Sequence, residues 1–257
     1  MPNPFVVLFT ARSGSTALFG NLKQHPDIDM RAEVFGGKTL PGGLAQTDAN
    51  RVAFLRQFWA GIEATGAART GQIAKGFKLQ ITRTNAQFTD PARFVNFSSS
   101  YAPKVIVLRR ANHVKQVISA LNARRVLRET AVIRDGRATA HITPDLVDTI
   151  AQVKSQPLQI DLPELARMLN GLKRNYQALD RIAVMFPDRI DITYEDYLQD
   201  RDGLVADVMD FIGVDPSRAL VQDAYLKITS DDISDVVENY DELSTFAKGT
   251  EYAAMLN

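Results

Sequence analysis

Apolar residues along this chain fall into short unbroken runs, separated by longer stretches with apolar positions three or four apart. Phe5-Val6-Val7-Leu8-Phe9 is the first run, and its continuity predicts a strand buried on both faces. Ile73 to Ile81, Lys104 to Arg109 and Arg189 to Tyr194 read as three further strands. A helical stretch from Ala17 to Gln24 stops at His25-Pro26. Arg51 to Thr65 has helical spacing at Val52, Leu55, Trp59 and Ile62. Leu162 to Phe186 keeps the same spacing through Leu165, Leu169, Leu172, Tyr176 and Leu179. It lacks the flanking charge pattern of a coiled coil, so a long core-facing helix is expected. Gly203 to Ile212 is another helix, closed by Gly213.

Strands alternating with helices predict an α/β fold of three layers, with a central, mostly parallel sheet flanked by helices. No internal repeat or linker-like stretch breaks the pattern, so residues 1–257 are expected to form a single domain. Residues 128–161 have weak periodicity and Gly, Pro and Thr punctuation, and are expected to form an excursion or lid.

Composition narrows the function. The chain has 257 residues, 45% of them hydrophobic, which is enough for a sizeable core and excludes a disordered chain. The absence of cysteine excludes disulfides, thiolate metal sites and a cysteine nucleophile. No apolar run approaches the roughly 18 residues of a membrane span. Met1-Pro2-Asn3-Pro4 lacks the basic and apolar regions of a signal peptide, so a cytoplasmic location is expected. Thirty basic and 30 acidic groups balance, which argues against a dedicated nucleic-acid binder. The balance hides a polarity: residues 101–137 carry 9 basic against 2 acidic groups, and residues 188–257 carry 5 against 17. The basic stretch directly follows an apolar strand, where it points to an anion held by the front half.

Two strand-to-helix junctions are suited to that anion. After the first strand come Arg12-Ser13-Gly14-Ser15-Thr16 and then a helix. The N–H groups at a helix start favour an anion, Ser13, Ser15 and Thr16 add hydroxyls, Arg12 adds a fixed charge, and Gly14 permits close backbone approach. A serine-rich helix cap would look the same from sequence alone. The GxxxxGK[ST] pattern of nucleotide triphosphatases is absent, and the strand ends lack a clear Mg²⁺-holding aspartate, so no metal is expected. At the second junction, Lys104 to Leu108 runs into Arg109-Arg110-Ala111-Asn112. Asn112 is placed to cap a helix with Val114, Val117, Ile118 and Leu121 on its apolar face, and Gln116 and Ser119 share another face. Arg110 and Ser119 are therefore placed to grip one anion. Two such junctions suit a ligand with phosphate groups at both ends.

At these sites the sequence resembles the sulfotransferases that use 3′-phosphoadenosine 5′-phosphosulfate (PAPS), in particular the bacterial carbohydrate and glycolipid group. RSGST at 12–16 matches the family's 5′-phosphosulfate loop, and LRRANHVKQVIS at 108–119 its 3′-phosphate strand and helix. ITYEDYLQD at 192–200 resembles a segment whose tyrosine, here Tyr194, lies near the adenine. NYDEL at 239–243 with KGTEY at 248–252 resembles the closing loop. The resemblance implies a P-loop-type fold with PAPS as co-substrate, and Arg12, Ser13, Gly14, Ser15 and Thr16 on the phosphosulfate. It also implies Arg110 and Ser119 on the 3′-phosphate, with Lys248, Gly249 and Thr250 closing over it. The spacing leaves Arg109 as an alternative to Arg110.

Sulfuryl transfer needs donors at the leaving oxygen and a base for the acceptor hydroxyl. Arg12 and the helix start are candidates for the first task. For the second, the family places a catalytic glutamate where Glu33 stands, and His141 is a weaker alternative. His25 and His113 read as structural or surface residues. Resemblance also sets Lys78 toward the transferred group, whereas the residue alone reads equally as a lysine on an edge strand. The expected acceptor is a small molecule or carbohydrate, with no nucleic-acid partner and no membrane span. A small-molecule kinase using ATP is the alternative.

Overall fold

The computed structural model describes residues 2–37, 39–60, 71–82, 91–130, 133–134, 137–138, 156–218, 230 and 232–256. Most of the expected excursion at 128–161, His141 included, lies outside the described residues, as does the end of the 51–65 stretch. The chain divides into two compact units, Met1–Arg109 with Arg174–Gln222, and Arg110–Lys173 with Asp223–Asn257.

The first unit is built on a five-stranded parallel sheet. Its strands are β1 (Asn3–Phe9), β2 (Ile28–Arg31), β3 (Ala74–Gln80), β4 (Lys104–Arg109) and a last strand, Arg189–Thr193, in the order β2-β3-β1-β4 and then the last. Every ladder is parallel, and β1 is central, pairing Val7 with Lys78 on one side and with Ile106 on the other. Phe5 through Phe9 and Val105 through Leu108 are almost entirely excluded from solvent, as expected of runs covered on both faces.

Helices cover the sheet. On one face α1 (Ser15–Gln24) contributes Leu18 and Leu22, which join Phe5, Val7, Phe9, Ile106 and Leu108 in one core cluster. The other face is aromatic. There α2 (Asp48–Trp59) and α3 (Pro91–Ser99) bring Phe58, Trp59 and Phe94 within 5.9–6.5 Å of the Phe77 ring. A sheet carrying helices on both faces is the three-layer α/β arrangement expected from the alternating pattern.

In the second unit, α4 (His113–Thr130) buries Val114, Val117 and Ile118. A short antiparallel ladder follows, β5 (Ile133–Arg134) with β6 (Arg137–Ala138), so the last strand of the main sheet is β7. The long helix α5 (Leu162–Ala183) begins in the second unit and ends in the first, with Leu165, Leu169, Leu172, Tyr176 and Leu179 all buried. In the first unit α6 (Tyr194–Gln199) and α7 (Arg201–Ile212) complete the cover, and in the second α8 (Tyr240–Ala247) leads to the C-terminus.

Several elements were not expected from the apolar pattern, among them α3, the β5–β6 ladder, β2, α6 and α8. β2 is only four residues long and alternates Asp29 and Arg31 with apolar residues. Its buried Asp29 is paired with two cations, Arg31 at 2.9 Å and Lys75 of the neighbouring strand at 3.8 Å, so this carboxylate is paired instead of solvated. α6 and α8 are too short to develop a periodic signal. α6 does begin with a reciprocal capping box between Thr193 and Asp196.

Candidate active site

The carboxyl ends of parallel strands are where an open α/β sheet receives ligands. The loop after β1 stands there, at the centre of the sheet. Arg12 and Gly14 both hold left-handed backbone, at φ 64° and 88°. For Arg12 that conformation costs roughly 1–2 kcal/mol, strain of the kind retained where a loop is shaped for a ligand. Such backbones turn successive N–H groups into an anion-binding concavity. The α1 helix starts at Ser15 with Gly14 as its N-cap, and no side chain caps it. The Ser13 hydroxyl is fully buried and has no hydrogen-bond partner among the described residues. A buried donor left in this way is costly unless a ligand accepts from it. These features fit a bound phosphate oxygen better than a simple serine cap.

The neighbouring strand supplies the next charge. Lys78 lies on β3, between β2 and β1, so the edge-strand reading is replaced by an interior one. Its side chain is 5% exposed, its Nζ is 3.5 Å from Ser15 Oγ and 3.7 Å from Glu33 Oε1, and it sits 5.3 Å and 5.2 Å from the Phe9 and Phe19 ring centres. Burial pushes the Lys78 ammonium below the usual lysine range, while the Glu33 charge and its hydrogen bond oppose that shift. Glu33 follows β2 and remains one-third exposed. A buried cation thus stands between an accessible carboxylate and the first residue of α1.

Tyr194 walls the loop. A Cβ added at Gly14 would lie 2.2 Å from Tyr194 Cδ2, so glycine is required by contact as well as by φ. The ring stacks on Tyr197 at 6.2 Å, and Asn21 of α1 donates to the Tyr197 hydroxyl at 2.7 Å. Asn21 lies in none of the sequence motifs, and Tyr197 lies in the 192–200 segment, of which only Tyr194 was assigned a role. They meet only because α6 packs on α1.

The two candidate arginines separate clearly. Arg109 donates to Asp180 at 2.6 Å and to Asp191 at 3.1 Å, and these carboxylates raise its pKa above the ordinary value against the opposing effect of burial. Arg110, in the second unit, is 9% exposed, and Ser119 on α4 is 7% exposed. Asn112 caps α4 as expected, its Oδ1 accepting from the Lys115 N–H at 2.8 Å. Lys248 is the C-cap of α8, and Gly249 follows at φ 77° with open space where a Cβ would stand.

His25 is buried and structural. Its Nδ1 accepts from the Asp27 N–H at 3.1 Å, so its Nε2 carries the proton and donates to the Asp215 carbonyl at 2.9 Å. Among the described residues no group of three or more side chains could hold a metal ion, and no helix is long and apolar enough to cross a membrane.

A parallel sheet with a lysine-free, hydroxyl-rich loop after its central strand is an α/β arrangement suited to an anion and distinct from the loop of the nucleotide triphosphatases. The model of the sulfotransferase family matches residues 4–218, and the chain belongs to that family. Among solved structures, a sulfotransferase from Alicyclobacillus acidocaldarius is 18% identical with a TM-score of 0.50, the match covering 100% of this chain and 95% of that one. Mouse sulfotransferase SULT7A1, complexed with PAP, is 10% identical with a TM-score of 0.48, covering 99% and 88%. The sulfotransferase domain of the Synechococcus PCC 7002 olefin synthase is 17% identical with a TM-score of 0.42, covering 99% and 86%. No curated protein matches the chain. Membership in the family sets aside the kinase alternative.

Proposed function

We propose that residues 1–257 act as one sulfotransferase domain that moves a sulfuryl group from PAPS to a hydroxyl of a carbohydrate or glycolipid acceptor, with Glu33 as general base. The observation that carries this reading is the alignment of Glu33, Lys78 and Ser15 at the sheet's carboxyl edge, with Lys78 Nζ within 3.7 Å of both partners. PAPS, when bound, supplies an activated S–O bond whose cleavage leaves charge on a phosphate oxygen. Ser13, Gly14, Ser15 and Thr16 bind that phosphate through hydroxyls and the α1 N-terminus, and Arg12 stabilises the charge as it develops. Lys78 orients the transferred group. Glu33 takes the acceptor's proton as the new S–O bond forms, and its exposure leaves it open to the incoming hydroxyl. Arg110, Ser119, Lys248, Gly249 and Thr250 are assigned to the 3′-phosphate and Tyr194 to the adenine, following the family resemblance. Arg109, which donates to Asp180 and Asp191, is the alternative to Arg110 for this task. The carbohydrate acceptor rests on the resemblance to the bacterial branch.

Calorimetry with adenosine 3′,5′-bisphosphate (PAP) and with ATP plus Mg²⁺ tests the donor site, and ³⁵S-labelled PAPS with a panel of sugar and glycolipid acceptors tests the transfer. Metal-independent binding of PAP and labelled sugar product are expected. Preference for Mg-ATP, or label appearing only on non-sugar hydroxyls, overturns the donor or the acceptor assignment respectively.

A further inference from the structure

The closing turn of the second unit is held by a side chain from the opposite end of that unit's sequence. Asn112 uses both ends of its amide. Oδ1 caps α4 through the Lys115 N–H at 2.8 Å, and Nδ2 donates to the Met255 carbonyl at 2.7 Å, across 143 residues.

The segment that Asn112 grips is internally bonded back to α8. Met255 N–H donates to the Tyr252 carbonyl at 3.0 Å, and Tyr252 N–H to Thr250 Oγ1 at 3.1 Å. Thr250 in turn bonds the Ala247 carbonyl with both its N–H, at 3.0 Å, and its hydroxyl, at 2.6 Å. Lys248 and Gly249 lie within this strap. At the far end of α8, Asn239 makes a two-way pairing with the Ile160 backbone, at 2.9 Å and 3.0 Å. The strap is therefore anchored at both ends, and a chain of hydrogen-bonded turns links Met255 to the residues flanking Lys248.

We propose that Asn112 is a positioning residue for the donor nucleotide, tying the Lys248–Gly249–Thr250 turn to the start of the helix that follows Arg110. This rests on the assignment of that turn and of Arg110 to the 3′-phosphate. The cap alone does not account for the choice of asparagine, because Ser or Asp caps a helix equally well. The asparagine amide carries its acceptor and its donor on two separate atoms, one facing Lys115 and the other Met255, which a single capping hydroxyl or a carboxylate does not.

Asn112→Ser separates the two duties, since it retains a capping hydroxyl and has no second polar atom for Met255. Asn112→Asp retains the cap and sets an oxygen against the Met255 carbonyl. Both variants should melt near the wild-type temperature. In the ligand-free protein, amide hydrogen exchange across residues 250–256 should quicken. Loss of one such bond should weaken PAP binding on the order of 3- to 10-fold for the Ser variant, with the KM for PAPS raised and kcat at saturating PAPS unchanged. Unchanged exchange overturns the tie. Faster exchange with unaltered PAP affinity overturns its role in donor binding, as does a parallel fall of kcat and melting temperature. If the wild type itself does not bind PAP, the sulfuryl-transfer reading fails, a distinguishable result because the exchange comparison needs no ligand.

Discussion

Tyr194 lies so close over Gly14 that a single methyl on that glycine would meet its ring at 2.2 Å. The contact joins the anion loop after β1 to the helix that follows β7, two segments 180 residues apart in the chain. Gly14→Ala should therefore be penalised twice, by roughly 1–2 kcal/mol for the left-handed backbone and again by the clash. Adding Tyr194→Ala should restore only the second part. Thermal melting of the single and double variants checks this, and complete recovery in the double variant would show that the φ of Gly14 is immaterial.

Lys78 should make the proposed donor site sensitive to pH. Its folded-state pKa lies below the ordinary 10.5, so the unfolded chain binds this proton more tightly than the folded one. Stability contributed at this position should accordingly rise with pH between the folded value and 10.5. Anion binding has the opposite preference, because it favours the charged ammonium. Above the range where the phosphates titrate, PAP affinity should fall as pH rises through the folded Lys78 value. Lys78→Arg, which stays charged, should flatten that dependence in calorimetric titrations across the alkaline range.

Glu33→Gln retains the shape of the side chain and removes the proposed base. The expected result is loss of transfer by on the order of 10²–10⁴-fold, the usual contribution of a positioned base, with PAP affinity changed little. Rate measurement at saturating PAPS beside calorimetry separates the two quantities. Equal loss of both would make Glu33 a partner that holds Lys78 and no more.

Arg109 and Arg110 are adjacent in sequence and should behave differently. Arg109→Ala removes the bridge to Asp180 and Asp191 and should lower stability modestly, with PAP affinity preserved. Arg110→Ala should weaken PAP binding severely. The reverse pattern would move the 3′-phosphate to Arg109.

Much of the fold was legible because unbroken apolar runs and three-four spacing both report burial directly. β1, β4 and the core positions of α5 lie where those patterns put them. β2 was hidden because its buried Asp29 is paired with Lys75 and Arg31, one of which comes from a neighbouring strand that local pattern does not reveal. The same physics concealed the environment of Lys78. Its residue type and strand were readable, but its burial against Phe9 and Phe19 depends on α1 folding back over β3.

The alternation of the main strands with helices, the anion-ready loop at 12–16 and the asparagine cap before α4 were determined by sequence alone, since each depends on residues close together in the chain. The pairing of Lys78 with Glu33, the seating of Tyr194 on Gly14, the bridging of Arg109 to Asp180 and Asp191, and the grip of Asn112 on Met255 were decided only in three dimensions. Each joins positions between 45 and 180 residues apart, or depends on carboxylates that the fold delivers. Contacts of that range are set by the sheet order and by helix packing, to which the local sequence pattern is blind.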